Sequence, residues 1–357
     1  MAQESPIQKR KSEHLALCRE KPVEFQRRRT WLECVDFVHV AAPTFSVEDV
    51  DTEVEFLGRR LAVPFIIGAM TGGTDEAGEI NRALARAAAQ CGVGLALGSQ
   101  RPMMQFPSLE ATYRVRDAAP SILLLGNIGL GQALAMKPAE VAALAERIAA
   151  DGICLHLNAA MEMFQSGGDH PRAGAQPAIG RLAREMGERL IVKETGCGIS
   201  RETAALLARL GVRTVDVAGA GGTSWVRVEN LRRGAAPAGF EEFEEWGIPT
   251  AASLAEVRGL KLRVIASGGL RTGLDLAKSI ALGATLGSAA LPVLRVLARG
   301  GEAGVREWIG GVAQGLRMAM VLTGSRDLKA LRRAPVVITG PLRDWMEQRS
   351  LWRPQRA

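Results

Sequence analysis

Val217-Ala218-Gly219-Ala220-Gly221-Gly222-Thr223, Ile265-Ala266-Ser267-Gly268-Gly269 and Leu286-Gly287-Ser288-Ala289 are three glycine-rich segments, each closing an apolar run. Such a run after a short strand lets backbone N–H groups approach a ligand without interference from Cβ. Where a helix follows, its N-terminus adds unpaired N–H donors and a positive dipole end, which suits a phosphate. Three in succession, after consecutive strands, predict a phosphate-bearing cofactor held between neighbouring strand ends of a barrel.

Working outward, short apolar runs alternate with helical stretches, the βα pattern of a parallel sheet. Strands are predicted over 64–70, 94–98, 122–128, 152–158, 190–194, 214–218, 263–267 and 284–289, with helices over 76–91, 138–150, 201–210, 253–260 and 273–282. Eight strands favour a TIM (β/α)8 barrel. An open doubly wound sheet would carry its phosphate loop after the first strand, whereas here the glycine runs follow strands six, seven and eight. The expected organisation is one domain over 1–357. Residues 1–63 form an N-terminal extension of strand and loop that carries Arg10-Lys11. Residues 64–300 form the barrel core, and 301–357 a closing helix and a tail packed back on the barrel or on a neighbouring subunit. Helices are expected over 292–300 and 304–322, with the tail over 335–353.

Composition narrows the class. The 357 residues are 47% hydrophobic with only 4% aromatics, and carry a formal charge of +7. The basic residues are interleaved with acids and stacking aromatics are few, so nucleic acid is not the expected partner. An anionic small substrate explains local clusters such as Lys9-Arg10-Lys11 equally well. No apolar stretch reaches the length of a membrane span, and Met1–Glu13 lacks the apolar core of a secretory leader. Five scattered cysteines, with no CxxC pair, fit reduced thiols in a cytoplasm.

Active sites of such barrels lie at the C-terminal strand ends. The polar residues expected there include Thr71, Ser99, Gln100, Arg101, Asn127, His156, Asn158, Glu162, Lys193, Glu194, Asp216 and Thr223. Hydroxyls, amides, one lysine and backbone N–H groups on one rim suit a planar hydrogen-bonding cofactor with a phosphate tail, and FMN fits them better than a bare metal. Lys193 interrupts the apolar strand Ile191-Val192-Lys193-Glu194, where a charge is costly without a partner. It either snorkels from the strand end or faces the N1/C2 edge of a flavin, where reduction builds negative charge. Glu162 is a solvated loop carboxylate or a Mg²⁺ ligand, since Mg²⁺ needs few protein groups when it keeps waters and takes phosphate oxygens. His156 lacks the spacing partners of a zinc site. Arg10 and Lys11 are a solvated charge run or, with Arg101, a clamp for a diphosphate.

These residues lie in segments that carry a resemblance over nearly the whole chain: Arg10-Lys11-Ser12-Glu13-His14, Met70-Thr71-Gly72-Gly73-Thr74, Gly98-Ser99-Gln100-Arg101, His156-Leu157-Asn158, Val192-Lys193-Glu194, Gly221-Gly222-Thr223-Ser224-Trp225 and Ser267-Gly268-Gly269-Leu270-Arg271. The chain resembles the type 2, FMN-dependent isopentenyl-diphosphate delta-isomerases. The resemblance implies FMN contacts at Ala69, Met70, Thr71, Ser99, Asn127, Lys193 and Thr223, with Ala218 where many members carry serine. It implies Gly269, Leu270, Arg271, Ser288 and Ala289 around the FMN phosphate. Arg10, Lys11, Ser99, Gln100 and Arg101 would bind the substrate diphosphate and Glu162 the Mg²⁺. Lys193, His156 and Met161 are expected at the reacting centre, and Asn158 among the substrate contacts. NADPH would reduce the FMN, and homotetramers or octamers would form.

One departure stands out. Met161 occupies the position where the family carries glutamine near the reacting carbons, and a thioether cannot donate or relay a proton. Two other readings therefore accompany the isomerase: a divergent paralogue that binds FMN and a prenyl diphosphate without isomerising, and a 2-hydroxy-acid oxidoreductase on the same barrel. The second wants a histidine base near the last strands, yet no histidine follows His170.

Overall fold

In the computed structural model the chain is described over residues 5–351, except 166, 171, 172, 235 and 237. The first four residues of the polar start, and Trp352 and Arg353 at the end of the expected tail, lie outside this range.

All eight sequence-predicted strands form, and they close into a parallel barrel in chain order. They are β1 (Phe65–Ile67), β2 (Gly94–Ala96), β3 (Leu124–Gly129), β4 (Gly152–His156), β5 (Leu190–Lys193), β6 (Thr214–Asp216), β7 (Arg263–Ala266) and β8 (Leu286–Ala289). Most stop before the predicted C-terminal end, because the chain leaves the ladder there to form the rim. Inward side chains such as Ile66, Leu125, Cys154, Ile191 and Ile265 make one core cluster inside the barrel. A hairpin, Val54–Phe56 against Arg59–Leu61, plugs the N-terminal mouth with Phe56 and Leu61, each 1% exposed. With the bottom filled by apolar side chains, the open end is the rim where the glycine runs lie.

The extension holds more than strand and loop. Residues Pro6–Glu20 form a helix, α1, that charge density hid from a reading by composition. Ser5 caps it by accepting from Gln8 N at 3.4 Å, while Gln8 Oε1 accepts from Ser5 N, and Pro6 pre-sets the first turn. Ile7, Leu15 and Cys18 form its buried side. Further along lie α2 (Ala159–Phe164), α3 (Trp225–Arg233) and α4 (Leu291–Leu322). The two closing helices expected at 292–300 and 304–322 are both present within α4, separated by a non-helical break at Gly301 with φ of 59°.

The tail returns to its own barrel. Val336–Ile338 pairs antiparallel with Val35–Phe37, tying the end of the chain to the extension. The helix Gly340–Gln348 follows, and Trp345 Nε1 and Arg349 Nε both donate to the buried Glu256 carboxylate, at 2.9 and 2.8 Å.

Candidate active site

At the C-terminal strand ends lies a cavity of about 250 Å³. Its roof is α1, whose residues Ile7, Arg10, Lys11, His14, Leu15 and Cys18 all face it. Those numbers step by three or four, so a single helical face carries both the cations and the apolar cover. His14 Nε2 donates to the fully buried Glu229 of α3 at 2.7 Å, and Arg232 holds the other carboxylate oxygen at 2.9 Å. The roof is thereby pinned to the barrel.

The cations crowd together. Burial first, then the charges of Arg10 and Arg101, push the Lys11 ammonium down to about 8. Burial, reinforced by Arg101, likewise lowers Arg10 from its ordinary value. Arg101 Nη1 donates to Asp169 Oδ2 at 3.1 Å. Such mutual repulsion in a buried place is relieved when a polyanion sits among the three.

On the wall, His156 Nδ1 pairs with Asn127 Oδ1 at 2.7 Å. Burial, with Lys193 and Lys11 adding repulsion, holds its pKa down at about 3. His156 is thus neutral, and with Nδ1 donating to Asn127, Nε2 is left as an acceptor. Asn158 opens α2 in the left-handed region at φ 52°, with its Nδ2 at 3.1 Å from Met161 Sδ. Glu162 Oε2 accepts from Asp169 N at 2.7 Å and Gln165 Nε2 at 3.2 Å, whereas among the described residues Oε1 has only Asn158 Nδ2 at 3.5 Å. One carboxylate oxygen is therefore left largely uncommitted.

The floor and the far corner hold two observations that bear on a cofactor. Thr71 Oγ1 is buried at the cavity with no hydrogen-bond partner among the described residues, and such a group ordinarily has one. Gly68, Gly222, Gly268 and Gly269 line the corner beside Arg271, Ser288 and Ala289. A Cβ on Gly222 would stand 2.5 Å from Gly269 N, and one on Gly268 2.0 Å from Gly219 O. Backbone is packed against backbone here with no room for a Cβ, the close approach that a phosphate cradle requires. An FMN-like group fits this set: an orphaned hydroxyl and a strand lysine for its ring, and a glycine-lined corner with an arginine for its phosphate.

Of the expected site residues, Arg10, Lys11, Ala69, Met70, Thr71, Ser99, Arg101, Asn127, His156, Asn158, Met161, Glu162, Lys193, Ala218, Thr223, Gly269, Arg271, Ser288 and Ala289 all line this one cavity. Two do not. The Gln100 side chain turns into the barrel wall, where Nε2 donates to Leu144 O at 2.8 Å and Oε1 accepts from Asn127 N at 3.0 Å. It supports Asn127 instead of meeting a diphosphate. Leu270 is buried in the core, its side chain next to Gly287. Glu194 also leaves the rim, its carboxylate accepting from Thr195 N and Cys197 N at 2.6 and 2.8 Å. The sequence reading missed His14, Gln132, Gln165 and Thr195 as lining residues, and all four face the cavity. The three-and-four spacing from Ile7 to Cys18 was the available signal for His14.

Glycine cradle, lysine floor and closed barrel define the class, an FMN-dependent α/β barrel. The family model described as FMN-dependent dehydrogenase matches residues 131–338. Among solved structures, mandelate oxidase with (S)-2-phenylpropionate aligns with a TM-score of 0.60 at 22% identity, covering 87% of this chain and 88% of that one. A mandelate oxidase variant with 3,3,3-trifluoro-2,2-dihydroxypropanoic acid reaches a TM-score of 0.63 at 20% identity, over 92% and 94%. At these identities the likeness is one of fold.

Curated relatives are nearer. The isopentenyl-diphosphate delta-isomerase of Methanothermobacter thermautotrophicus is 45% identical over 96% of this chain and 97% of its own length. That of Methanosarcina mazei is 43% identical over 96% and 94%, and that of Pyrococcus horikoshii 42% over 95% and 94%. The chain belongs to the isopentenyl-diphosphate delta-isomerase family.

Proposed function

We propose that this protein interconverts isopentenyl diphosphate and dimethylallyl diphosphate by a 1,3-allylic proton shift on FMN. Full-length identity to isomerases favours this reading over the paralogue and the 2-hydroxy-acid oxidoreductase. The observation that carries it is that a cationic helix face and a glycine cradle line one cavity. One cavity thus has separate places for two phosphorylated molecules.

Thr71, Ser99, Asn127, Lys193, Ala218 and Thr223 would hold the flavin ring and its chain, with Gly269, Arg271, Ser288 and Ala289 around its phosphate. When bound and reduced, FMN supplies an acid–base group at N5 that can take up and return a proton. Lys193 places positive charge where the reduced ring carries negative charge, stabilising it without solvent reorganisation. Arg10, Lys11 and Arg101 receive the diphosphate, anchoring the apolar end of the substrate against the ring. Neutral His156 offers an acceptor beside Asn158. Met161 contributes a polarisable apolar surface and no proton.

Among the described residues no group of three or more His, Cys, Asp or Glu side chains could hold a metal by protein ligands alone. Glu162, with one oxygen uncommitted, suits the Mg²⁺ regime of one carboxylate, waters and substrate oxygens. NADPH is proposed as the reductant of FMN, the cytoplasm as the location, and a homotetramer or octamer as the assembly. No helix of the described residues is long and apolar enough to cross a membrane.

An isomerase consumes no reductant per turnover. In anaerobic assays, product should exceed NADPH oxidised by at least about tenfold once FMN is reduced. A fixed one-to-one ratio would instead indicate an oxidoreductase.

Lys11 also gives the reaction a pH limit. Its folded pKa is lowered to about 8, so the cation is present below pH 8 and lost as pH rises through it. kcat/KM reports groups of the free enzyme, so it should fall about tenfold per pH unit above 8. A Lys11→Arg variant should keep its rate there. A flat profile to pH 9.5 in the parent would separate Lys11 from diphosphate binding.

A further inference from the structure

His156, Lys193 and Asp216 stand in direct register on three adjacent strands, β4, β5 and β6. Neighbouring strands lie about 4.8 Å apart, and in-register residues of parallel strands point to the same face. All three therefore form one row across the cavity floor, and all three line the cavity. Asp216 is 6% exposed. Its Oδ1 accepts from Ser267 Oγ at 2.5 Å and from Ala218 N at 3.2 Å. The Ala218 N–H can only donate and Lys193 is the nearest cation in the row, and both favour a carboxylate over a carboxylic acid, whereas the Ser267 hydroxyl pairs with either form. Burial holds the pKa of the group above its ordinary value, and the charge of Lys193 with the Ser267 and Ala218 hydrogen bonds lessens the rise without cancelling it.

We propose that Asp216 is the fixed counter-charge to Lys193, and that the pair together sets the reduction potential and proton affinity of the bound FMN. The inference rests on the reading of Lys193 as the residue facing the flavin. Its chemical sense follows from a reaction without net redox change. A lone Lys193 would stabilise negative charge on the reduced ring so strongly that a proton, once gained, is returned easily but taken up poorly. A carboxylate beside it trims that field, because a full negative charge at one strand spacing offsets much of a positive one in a site shielded from water. No role in substrate contact is needed for this, and none of the diphosphate-binding cations touches Asp216.

The test is the two-electron potential of FMN bound to four proteins: the parent, Lys193→Gln, Asp216→Asn and the double variant. Lys193→Gln should lower the potential and Asp216→Asn raise it. The double variant should fall back toward the parent, since the two removed charges have opposite sign. Asp216→Glu, which keeps the charge, should remain near the parent value. A potential unmoved by Asp216→Asn, while Lys193→Gln lowers it, overturns the counter-charge and leaves the Lys193 reading intact. A potential unmoved by Lys193→Gln overturns both. Should the asparagine variant fail to fold, Asp216→Ser is the neutral replacement to be read, with the same two outcomes. A residue of purely structural importance would lower the melting temperature without moving the potential.

Discussion

Lys193→Gln is expected to lower kcat about 100- to 1000-fold, with KM for isopentenyl diphosphate changed only a few-fold. Lys193 lies at the C-terminal end of β5 and faces the cavity floor, with Nζ donating to Glu194 O at 2.5 Å. That single backbone contact fixes the direction of the side chain but leaves its charge for the cavity. On the proposed reading the diphosphate meets the roof, since Arg10 and Lys11 belong to α1 and line the cavity. Substrate affinity and the stabilisation of the reduced ring are thus assigned to different walls, which is why kcat should fall and KM should not. A rise in KM at unchanged kcat would place Lys193 with the substrate. Steady-state kinetics with FMN held saturating and reduced separates the two.

Gly268→Ala is expected to weaken FMN binding by about 100-fold. Gly268 has φ of 94°, a region costly for any residue with a Cβ, and the added carbon would stand 2.0 Å from Gly219 O. Strain of this kind costs on the order of 1–3 kcal/mol, and relieving the clash must separate two backbone segments of the cradle. About 2.7 kcal/mol corresponds to the stated factor. Titration of the apoprotein with FMN, followed by quenching of flavin fluorescence, reads the change directly. Unaltered affinity would show that the phosphate lies elsewhere. Gly234, where nothing stands within 4 Å of an added Cβ, is a suitable control for the effect of φ alone.

The barrel was legible because its strands are short, apolar and separated by regular helical stretches, so strand number and order followed from pattern. Most of the site was legible for a related reason: polar residues at C-terminal strand ends converge whatever the loops do. Two side chains and one helix lie elsewhere than expected, for physical reasons. Gln100 reads as a rim amide, but an amide next to a backbone turn satisfies the chain first, and its donors and acceptors go to Leu144 and Asn127. Leu270 sits among phosphate-site residues in sequence, yet its side chain points to the core. The helix α1 was missed because its polar residues outnumber its apolar ones. Its stability comes from tertiary anchors such as His14 on Glu229, which no local pattern reveals.

The position of Met161 illustrates a different boundary. The resemblance implies an amide where this chain has Met161, and the structure puts the thioether on the cavity wall, within reach of Asn158 Nδ2. Gln165, three residues beyond Glu162, also faces the cavity, but its amide donates to the Glu162 carboxylate. The chain supplies no protonating side chain in place of the missing one at that position. On the proposed reading the acid–base work would fall on the flavin.

The most direct measurement is product formation from isopentenyl diphosphate by purified protein with FMN, Mg²⁺ and NADPH under anaerobic conditions. Dimethylallyl diphosphate that appears only when the flavin is present and reduced is the expected result. Bound, reducible FMN without that product would contradict the isomerase assignment while leaving the barrel and its cradle as described.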